Sequence, residues 1–419
     1  MKVNLQPALS DANLDAGTNG NQRQLSVSVS AIPDENDRTA PLNLTLILDR
    51  SGSMDGRPLS RVKQAAQQMI DNLSPGDRLS VIAFNHKASV ILENQELSDH
   101  EEVKDKIQNL QATGGTCIDE GMKLGMDTLF QASGNNISQI FLLTDGENEH
   151  GDNDRCLNLA EFATSNNATM NSLGFGSHWN QDILEKIADS GGGSLVYIET
   201  PETAIEEFAR LFRRVQSVSL TNAHLLIGLM PQTRLAEMKP VAQVSPETIE
   251  LTGEMNNSYY EVRLGDLMKD EPRVIVANLY ISQLPEGRQP IVSLRVRYDD
   301  PGLGETGIFS DPTPVEANVL QSFEPAPNEE VAQHVSALAK YRQTQIAEQK
   351  LQQGDHTGAA TMLQSAAKTA LQMGDNNGAT VLQENATRLQ SGQDLSEADR
   401  KKTRMASKTK LGGNQSSAS

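Results

Sequence analysis

The stretch over residues 42–54, LNLTLILDRSGSM, constrains the fold more than any other part of the chain. It begins with a nearly continuous apolar run, which is typical of a strand covered on both faces in the middle of a parallel sheet. The run ends abruptly at Asp49, and Ser51 and Ser53 follow. Open α/β sheets bind their ligands just past the carboxyl ends of their strands. This stretch therefore predicts a buried central strand followed by a candidate ligand-binding loop.

Predicted strands and helices alternate from residue 42 to about residue 215. Apolar residues recur at helical spacing over residues 62–73, and a second strand is predicted at 78–84. A third strand at 88–92 follows too closely for a crossover helix, so we expect it to be an antiparallel edge strand. Further strands are predicted at 139–143, 170–175 and 194–198. The pattern predicts an α/β domain over residues 41–217, with a doubly wound, mostly parallel six-stranded sheet.

The flanking segments have different patterns. Residues 25–30 alternate between apolar and polar side chains, and short apolar stretches separated by turn signals follow residue 217. We expect the N-terminal segment, residues 1–40, to contribute a strand to a β-sandwich formed mainly by residues 218–323. The α/β domain would then be inserted in that sandwich. Residues 324–391, rich in Ala, Gln and Leu, predict a small helical hairpin bundle, and residues 392–419 a disordered basic tail.

Composition excludes several classes of function. The chain has 55 acidic and 36 basic residues and a net charge of −19, which disfavours binding to nucleic acid. It has no apolar run of membrane-spanning length and no signal-peptide pattern at its N-terminus. Its two cysteines cannot form a disulfide framework, which fits a reducing compartment, although one bridge between them stays open as an alternative. We therefore expect a cytoplasmic protein that binds neither nucleic acid nor membrane.

Five residues with side-chain oxygens lie next to predicted strand or helix ends. They come from three separate loops and are Asp49, Ser51 and Ser53, then Thr116, then Asp145. Oxygen ligands of this kind suit a hard cation such as Mg²⁺. Three of the five are neutral hydroxyls, so the site would leave a position that favours an incoming carboxylate. The sequence therefore predicts a metal site at one edge of the sheet.

These residues resemble the metal-ion-dependent adhesion site of von Willebrand factor type A (VWA) domains. The Asp-x-Ser-x-Ser motif of that family matches residues 49–53, its threonine matches Thr116 in a Gly-Gly-Thr loop, and its third-loop aspartate matches Asp145 in Thr-Asp-Gly. The resemblance implies a bound Mg²⁺ or Mn²⁺ whose coordination is completed by a Glu or Asp of a protein partner. The β-sandwich and helical segments look like an arrangement found in bacterial VWA proteins.

Other interpretations of these residues remain open. Any one of the Ser and Thr residues could be a cap or a turn former. Asp49 and Asp145 could form a hydrolytic pair with Ser51 as nucleophile, although no nucleophile elbow, HExxH motif or phosphate-binding loop supports an enzyme.

Arg50 and Met54 flank the candidate ligands and could contact a partner, or Met54 could pack under the loop. Cys117 is interpreted as a small buried residue, with a redox role as the alternative.

The sequence thus predicts a non-enzymatic module that binds an acidic residue of a partner through Mg²⁺. A second interpretation is an accessory subunit without ATPase activity that recruits substrates to an AAA+ ATPase, as bacterial VWA proteins often resemble such subunits. A third is an extracellular adhesion protein, which the missing signal-peptide pattern disfavours.

Overall fold

The computed structural model describes residues 2–32, 40–97, 99–131, 134–176, 179–269 and 271–408. The chain forms two compact units. One, called here the α/β unit, comprises Asp34–Asn222 and Asp299–Gly307. The other, called the β/helical unit, comprises Met1–Pro33, Ala223–Tyr298 and Ile308–Ser419. The α/β unit therefore interrupts the sequence of the β/helical unit.

The regular elements of the described residues are numbered in chain order. The strands are β1 (Val3–Leu9), β2 (Asn13–Asp15), β3 (Gly20–Ala31), β4 (Leu42–Asp49), β5 (Arg78–Phe84), β6 (Ala88–Glu96), β7 (Ile137–Thr144), β8 (Ala168–Phe175), β9 (Gly192–Ile198), β10 (Val218–Leu229), β11 (Thr233–Leu235), β12 (Val241–Ser245), β13 (Ile249–Leu251), β14 (Gly253–Asn256), β15 (Tyr259–Met268), β16 (Arg273–Ser282), β17 (Gly287–Asp300), β18 (Glu305–Phe309) and β19 (Thr313–Leu320). The α-helices are α1 (Arg57–Asp71), α2 (His100–Gln108), α3 (Ile118–Leu129), α4 (Asn153–Ser165), α5 (Gln181–Ser190), α6 (Ala204–Gln216), α7 (Glu329–Gln352), α8 (His356–Gln372), α9 (Asn376–Gln390) and α10 (Glu397–Ser407).

The α/β unit contains a six-stranded sheet with the strand order β6-β5-β4-β7-β8-β9. β4 pairs in parallel with β5 and β7, and the parallel pairing continues through β8 to β9. β6 is antiparallel to β5, because residues 85–87 are too short a connection for a parallel crossover. All eight residues of β4 are buried, as the nearly continuous apolar run predicts. The strand that precedes the candidate metal loop is therefore central in its sheet.

Two glycines let α3 lie close to β4 and β5. A Cβ atom on Gly121 would lie 2.8 Å from Phe84 Cδ1, and one on Gly125 would lie 2.5 Å from Ile47 Cδ1. The two glycines are four residues apart, so they share one face of the helix. Any larger side chain on that face would move α3 away from the sheet. Because α3 begins directly after Cys117, its close packing also fixes the position of the preceding loop.

The β/helical unit contains two further sheets. One has the order β1-β3-β16-β12-β13, with β11 also paired to β16; the other has the order β14-β15-β10-β17-β19-β2, with β18 also paired to β17. β3 pairs antiparallel with β16, with Val27 opposite Ile275. A strand that precedes the α/β unit in the chain therefore pairs with one that follows it. The face-to-face packing of two sheets as a β-sandwich stays a prediction.

Four helices, α7 to α10, end the described chain. The last of them corrects the prediction of a disordered tail from residue 392, because α10 spans Glu397–Ser407. A capping box formed by Ser396 and Asp399 begins this helix, and Asn385 Nδ2 of α9 donates a 2.7 Å hydrogen bond to Thr403 Oγ1. The prediction counted the basic residues of the tail and overlooked the cap that precedes them. No helix in the described ranges is both long and apolar enough to cross a membrane.

A Gly-Asp turn begins both α8 and α9. The carboxylates of Asp355 and Asp375 each accept a 2.8 Å hydrogen bond from the backbone nitrogen three residues later. Each also pairs with a lysine of α7: Lys350 Nζ lies 2.7 Å from Asp355 Oδ2, and Lys340 Nζ lies 2.8 Å from Asp375 Oδ2. The side chain of Lys340 is only 1% exposed, whereas that of Lys350 is 35% exposed. The same kind of ion pair is therefore buried at Lys340 and partly exposed at Lys350.

Replacing Lys340 with Ala should lower the free energy of unfolding of the helical segment by about 3 kcal/mol, because Asp375 would keep a mostly buried charge without its cation. Lys350→Ala is the matched control and should cost much less, since water and salt screen the exposed pair. Urea unfolding followed by far-UV circular dichroism measures both changes. Equal losses for the two variants would show that burial does not set the strength of these pairs.

Candidate functional site

Three loops meet at the carboxyl end of the α/β sheet. The first follows β4, the second precedes α3, and the third follows β7, which is the parallel neighbour of β4. Backbone hydrogen bonds join the first two loops: Gly52 N donates to Gly114 O at 2.8 Å, and Thr113 N donates to Arg50 O at 2.8 Å. The topology and these bonds bring together the loops that carry the five predicted ligands.

Hydrogen bonds between side chains join the first loop to the third. Ser53 Oγ donates to Asp145 Oδ1 at 2.7 Å, and the hydroxyls of Ser51 and Ser53 lie 3.0 Å apart. Ser51 and Asp145 are buried, while Ser53 is exposed. A chain of oxygen atoms therefore leads from the interior of the first loop to the surface of the sheet edge.

Asp49 is completely buried, and both of its carboxylate oxygens accept hydrogen bonds. Oδ1 accepts from Ser51 N at 2.7 Å, and Oδ2 accepts from Thr144 Oγ1 at 2.5 Å. Burial raises the pKa of Asp49 to about 6; the hydrogen bonds from Thr144 and Ser51 oppose this rise, and the charge of Asp145 adds to it. Burial therefore makes the anionic form of Asp49 less favourable than it is in water, and a positive charge close by would offset this cost.

Thr116 lies against the third loop. It is buried, and a Cβ atom on Gly146 would lie 3.2 Å from Thr116 Oγ1, so this hydroxyl is next to the residue that follows Asp145. The backbone oxygen of Thr116 accepts a 3.1 Å hydrogen bond from His150 N. Its hydroxyl makes no hydrogen bond to another residue in the described part of the chain. The side-chain oxygen of Thr116 is thus available to a ligand.

The donor set suits a hard cation. It consists of two carboxylates and three hydroxyls, all oxygen atoms, which is the ligand chemistry of Mg²⁺ and of Mn²⁺. Within the described ranges, no group of three or more His, Cys, Asp or Glu side chains is placed to hold a metal ion. Hydroxyls would therefore have to provide much of the coordination. A cation here would also offset the repulsion between Asp49 and Asp145.

The two residues predicted to contact a partner differ in exposure. Arg50 is partly exposed, and its Nη1 atom lies 3.4 Å from Thr113 Oγ1. Met54, in contrast, is fully buried, so the prediction that it contacts a partner is corrected. The 3₁₀ turn Gly52–Met54 directs this side chain inwards, where it packs beneath the loop.

Sequence reasoning missed two residues that hold the loops. Thr144 donates to Asp49 and also accepts a 3.2 Å hydrogen bond from Gly146 N, so it joins the first and third loops. Asn85 Nδ2 donates to Thr113 O at 2.7 Å, and Asn85 O accepts from Cys117 N at 2.8 Å, so it anchors both ends of the second loop. Asn85 directly follows a buried strand, as Asp49 ends one, and that position could have identified it.

Cys117 and Cys156 are both free and buried. Cys117 Sγ lies 3.4 Å from Asp119 Oδ1, and burial raises the pKa of its thiol. Burial also raises the pKa of Cys156 to about 12. Neither thiol is therefore activated as a nucleophile, which agrees with the interpretation of Cys117 as a small buried residue.

Comparison with protein families matches residues 43–211 to the von Willebrand factor type A domain. Residues 329–413 match the Sll0103-like, C-terminal alpha-helical domain, a range that includes α10. The chain is 57% identical over 411 residues to the uncharacterized protein sll0103 of Synechocystis sp., and the match covers 98% of each chain. It is also 31% identical over 167 residues to inter-alpha-trypsin inhibitor heavy chain H4 of Bos taurus, covering 37% of this chain and 18% of that protein.

Two solved structures are similar over nearly the whole chain. The von Willebrand factor type A protein from Catenulispora acidiphila has a TM-score of 0.80 at 18% identity, with 98% of each chain covered. The ArnB paralog VWA2 from Sulfolobus acidocaldarius has a TM-score of 0.58 at 14% identity, with 97% of this chain and 98% of that chain covered. These likenesses show a shared fold that extends beyond the α/β unit.

Replacing Thr144 with Val should lower the free energy of unfolding in chelator by about 2 kcal/mol, because a buried oxygen of Asp49 loses its donor and Gly146 N loses its acceptor. Thr144→Ser keeps the hydroxyl and should restore most of the loss. Chemical unfolding of both variants measures the difference. A valine variant as stable as the serine variant would contradict the bridging role of Thr144.

Proposed function

We propose that this chain, which belongs to the family of the Synechocystis protein sll0103 and carries a VWA domain, binds a protein partner through a divalent cation. VWA domains commonly mediate interactions between proteins. The observation that carries the proposal is the convergence of five oxygen-bearing side chains from three loops, with Ser53 hydrogen-bonded directly to Asp145. The cation is Mg²⁺ or Mn²⁺, and it would be held directly or through water by Asp49, Ser51, Ser53, Thr116 and Asp145.

When bound, the cation would supply a Lewis acid for a carboxylate of the partner. The proposal is supported by the size of the donor set, because five side chains fill fewer than the six positions of an octahedral ion and leave room for a carboxylate of the partner. It also explains how a chain of net charge −19 can attract an acidic residue, since the ion is the largest local charge at the sheet edge. Arg50, which is partly exposed in the first loop, is proposed to contact the partner next to the ion.

Several further properties belong to the same proposal. A bacterial, cytoplasmic protein is supported by the likeness to sll0103 and by two free, buried thiols, which fit a reducing compartment. A function without catalysis belongs to the proposal as well, and it is supported by the lack of a nucleophile elbow, an HExxH motif or a phosphate-binding loop in the sequence. No observation on the described residues favours an ATPase accessory subunit or an extracellular adhesion protein.

Asp145→Asn tests the metal site with little change in shape, because the amide oxygen can still accept the hydrogen bond from Ser53. We expect its affinity for Mg²⁺ in calorimetric titration to fall at least about tenfold, since a charged ligand is lost. Partner proteins held on a column of the wild-type protein in Mg²⁺ should elute with chelator, and the variant should retain little.

Asp99→Asn is the matched control. Asp99 caps the N-terminus of α2, which follows β6 at the end of the sheet opposite to the candidate metal site. This variant should therefore bind Mg²⁺ as the wild type does. Mg²⁺ affinity that is unchanged in a folded Asp145→Asn protein, or a partner that stays bound in chelator, would rule out the proposed function.

A further inference from the structure

The loops around the candidate metal site carry opposite charges on their two sides. The exposed Lys87 follows β5, and the exposed Arg57 begins α1, the helix that connects β4 to β5; Arg50 comes earlier in the chain, directly after β4. We call these three residues the basic flank. Asp55 is the one acidic residue between Arg50 and Arg57.

On the other side of β4, the side chains are acidic. Glu147 and Glu149 follow β7, and Asp152 and Asp154 lie at the start of α4, the helix that connects β7 to β8. All four are exposed, and we call them the acidic flank. The strand order β5-β4-β7 places Lys87, which follows β5, and the acidic flank, which follows β7, on opposite sides of the loop that carries Asp49.

Both flanks reach the second loop of the metal site. A Cβ atom on Gly114 would overlap His86 Nδ1, whose neighbour in the chain is Lys87. A Cβ atom on Gly115 would lie 2.6 Å from His150 Nε2 and 3.2 Å from Glu149 Oε2. Gly114 therefore lies against the residue that precedes Lys87, and Gly115 lies against Glu149. Thr116 is the next residue in the chain. The reversal of charge takes place at the metal site itself rather than across a distant surface.

Ion pairs within the described residues do not neutralise these charges. In the described part of the chain, Lys87, Glu147 and Glu149 take part in no ion pair, and Arg50 contacts the neutral hydroxyl of Thr113. Elsewhere on the same unit exposed charges do pair, as Lys123 does with Asp127. Unpaired charges of opposite sign at the edge of a binding site select partners by complementary charge.

We propose that the partner segment is bipolar. Its metal-binding carboxylate lies between a side that carries further Asp or Glu, which faces the basic flank, and a side that carries Lys or Arg, which faces the acidic flank. This inference rests on the proposed function. A uniformly acidic segment could bind the ion but would be repelled by the acidic flank and by the net charge of −19, and a uniformly basic one has no carboxylate to offer.

Labelled peptides with one central Glu test this inference, with fluorescence anisotropy measured on the full chain in Mg²⁺. The flanking residues are Lys on one side and Glu on the other, in both orders, or Glu on both sides, or Lys on both sides. One bipolar order should bind about tenfold more tightly than either uniform peptide, since each of several exposed charge pairs contributes modestly. The preferred order also gives the direction in which the segment runs across the site.

Charge reversal identifies the residues responsible. The double variant Glu147→Lys, Glu149→Lys should transfer the preference to the uniformly acidic peptide, and Lys87→Glu should shift it toward the peptide with Lys on both sides. Glu102→Lys, which makes the same change on exposed α2, is the control and should leave the preference unaltered. Mg²⁺ affinity should be similar in all variants, because none of these residues belongs to the donor set.

The outcomes separate this inference from the proposed function. Equal affinity for bipolar and uniform peptides, or no affinity for any peptide in a protein that binds Mg²⁺, would overturn the bipolar partner and leave the cation site standing. Failure of the wild-type chain to bind Mg²⁺ would overturn the proposed function, and this inference with it.

Discussion

The arrangement of the candidate metal site depends on one constraint, which is a carboxylate buried at the end of the central strand. Asp49 has no exposure to water, so both of its oxygens need donors inside the protein. One donor is the backbone of its own loop and the other is Thr144 at the end of the neighbouring strand. Satisfying this one side chain therefore ties the loop after β4 to the loop after β7. Ser53 and Asp145, which form the second link between these loops, lie closer to the surface.

The second loop is positioned by packing as well as by hydrogen bonds. Gly121 and Gly125 bring α3 against Phe84 and Ile47 of the sheet, and the loop that carries Thr116 enters this helix. Asn85 then fixes the loop through Thr113 and Cys117. A site whose ligands come from three loops can be rigid in this way, because each loop is attached to a strand or helix with little freedom to shift. Rigidity of this kind favours a small cation that demands a fixed coordination geometry.

The local patterns of the chain predict much of this arrangement, and contacts between distant residues account for what they miss. The apolar run before Asp49 predicts a buried strand, and the polar residues at strand ends predict which side chains meet at the sheet edge. The role of Thr144 could not be predicted, because it ends an apolar strand and Asp49, its hydrogen-bond partner, lies 95 residues away in the sequence. Met54 follows the candidate ligands directly in the sequence, which suggests a contact with a partner. Only the direction of the turn in the structure shows that its side chain is buried. The helix Glu397–Ser407 was missed because its cap and its contact with Asn385 outweigh a polar composition.

The central claim is that the oxygen atoms of Asp49, Ser51, Ser53, Thr116 and Asp145 surround one divalent cation. Anomalous diffraction from crystals grown with Mn²⁺ tests it most directly, because the signal locates the ion without reference to any partner. The account predicts one strong anomalous peak among these five side chains at the carboxyl end of β4. No peak there at a saturating Mn²⁺ concentration, or a peak only at some other place on the chain, would contradict it.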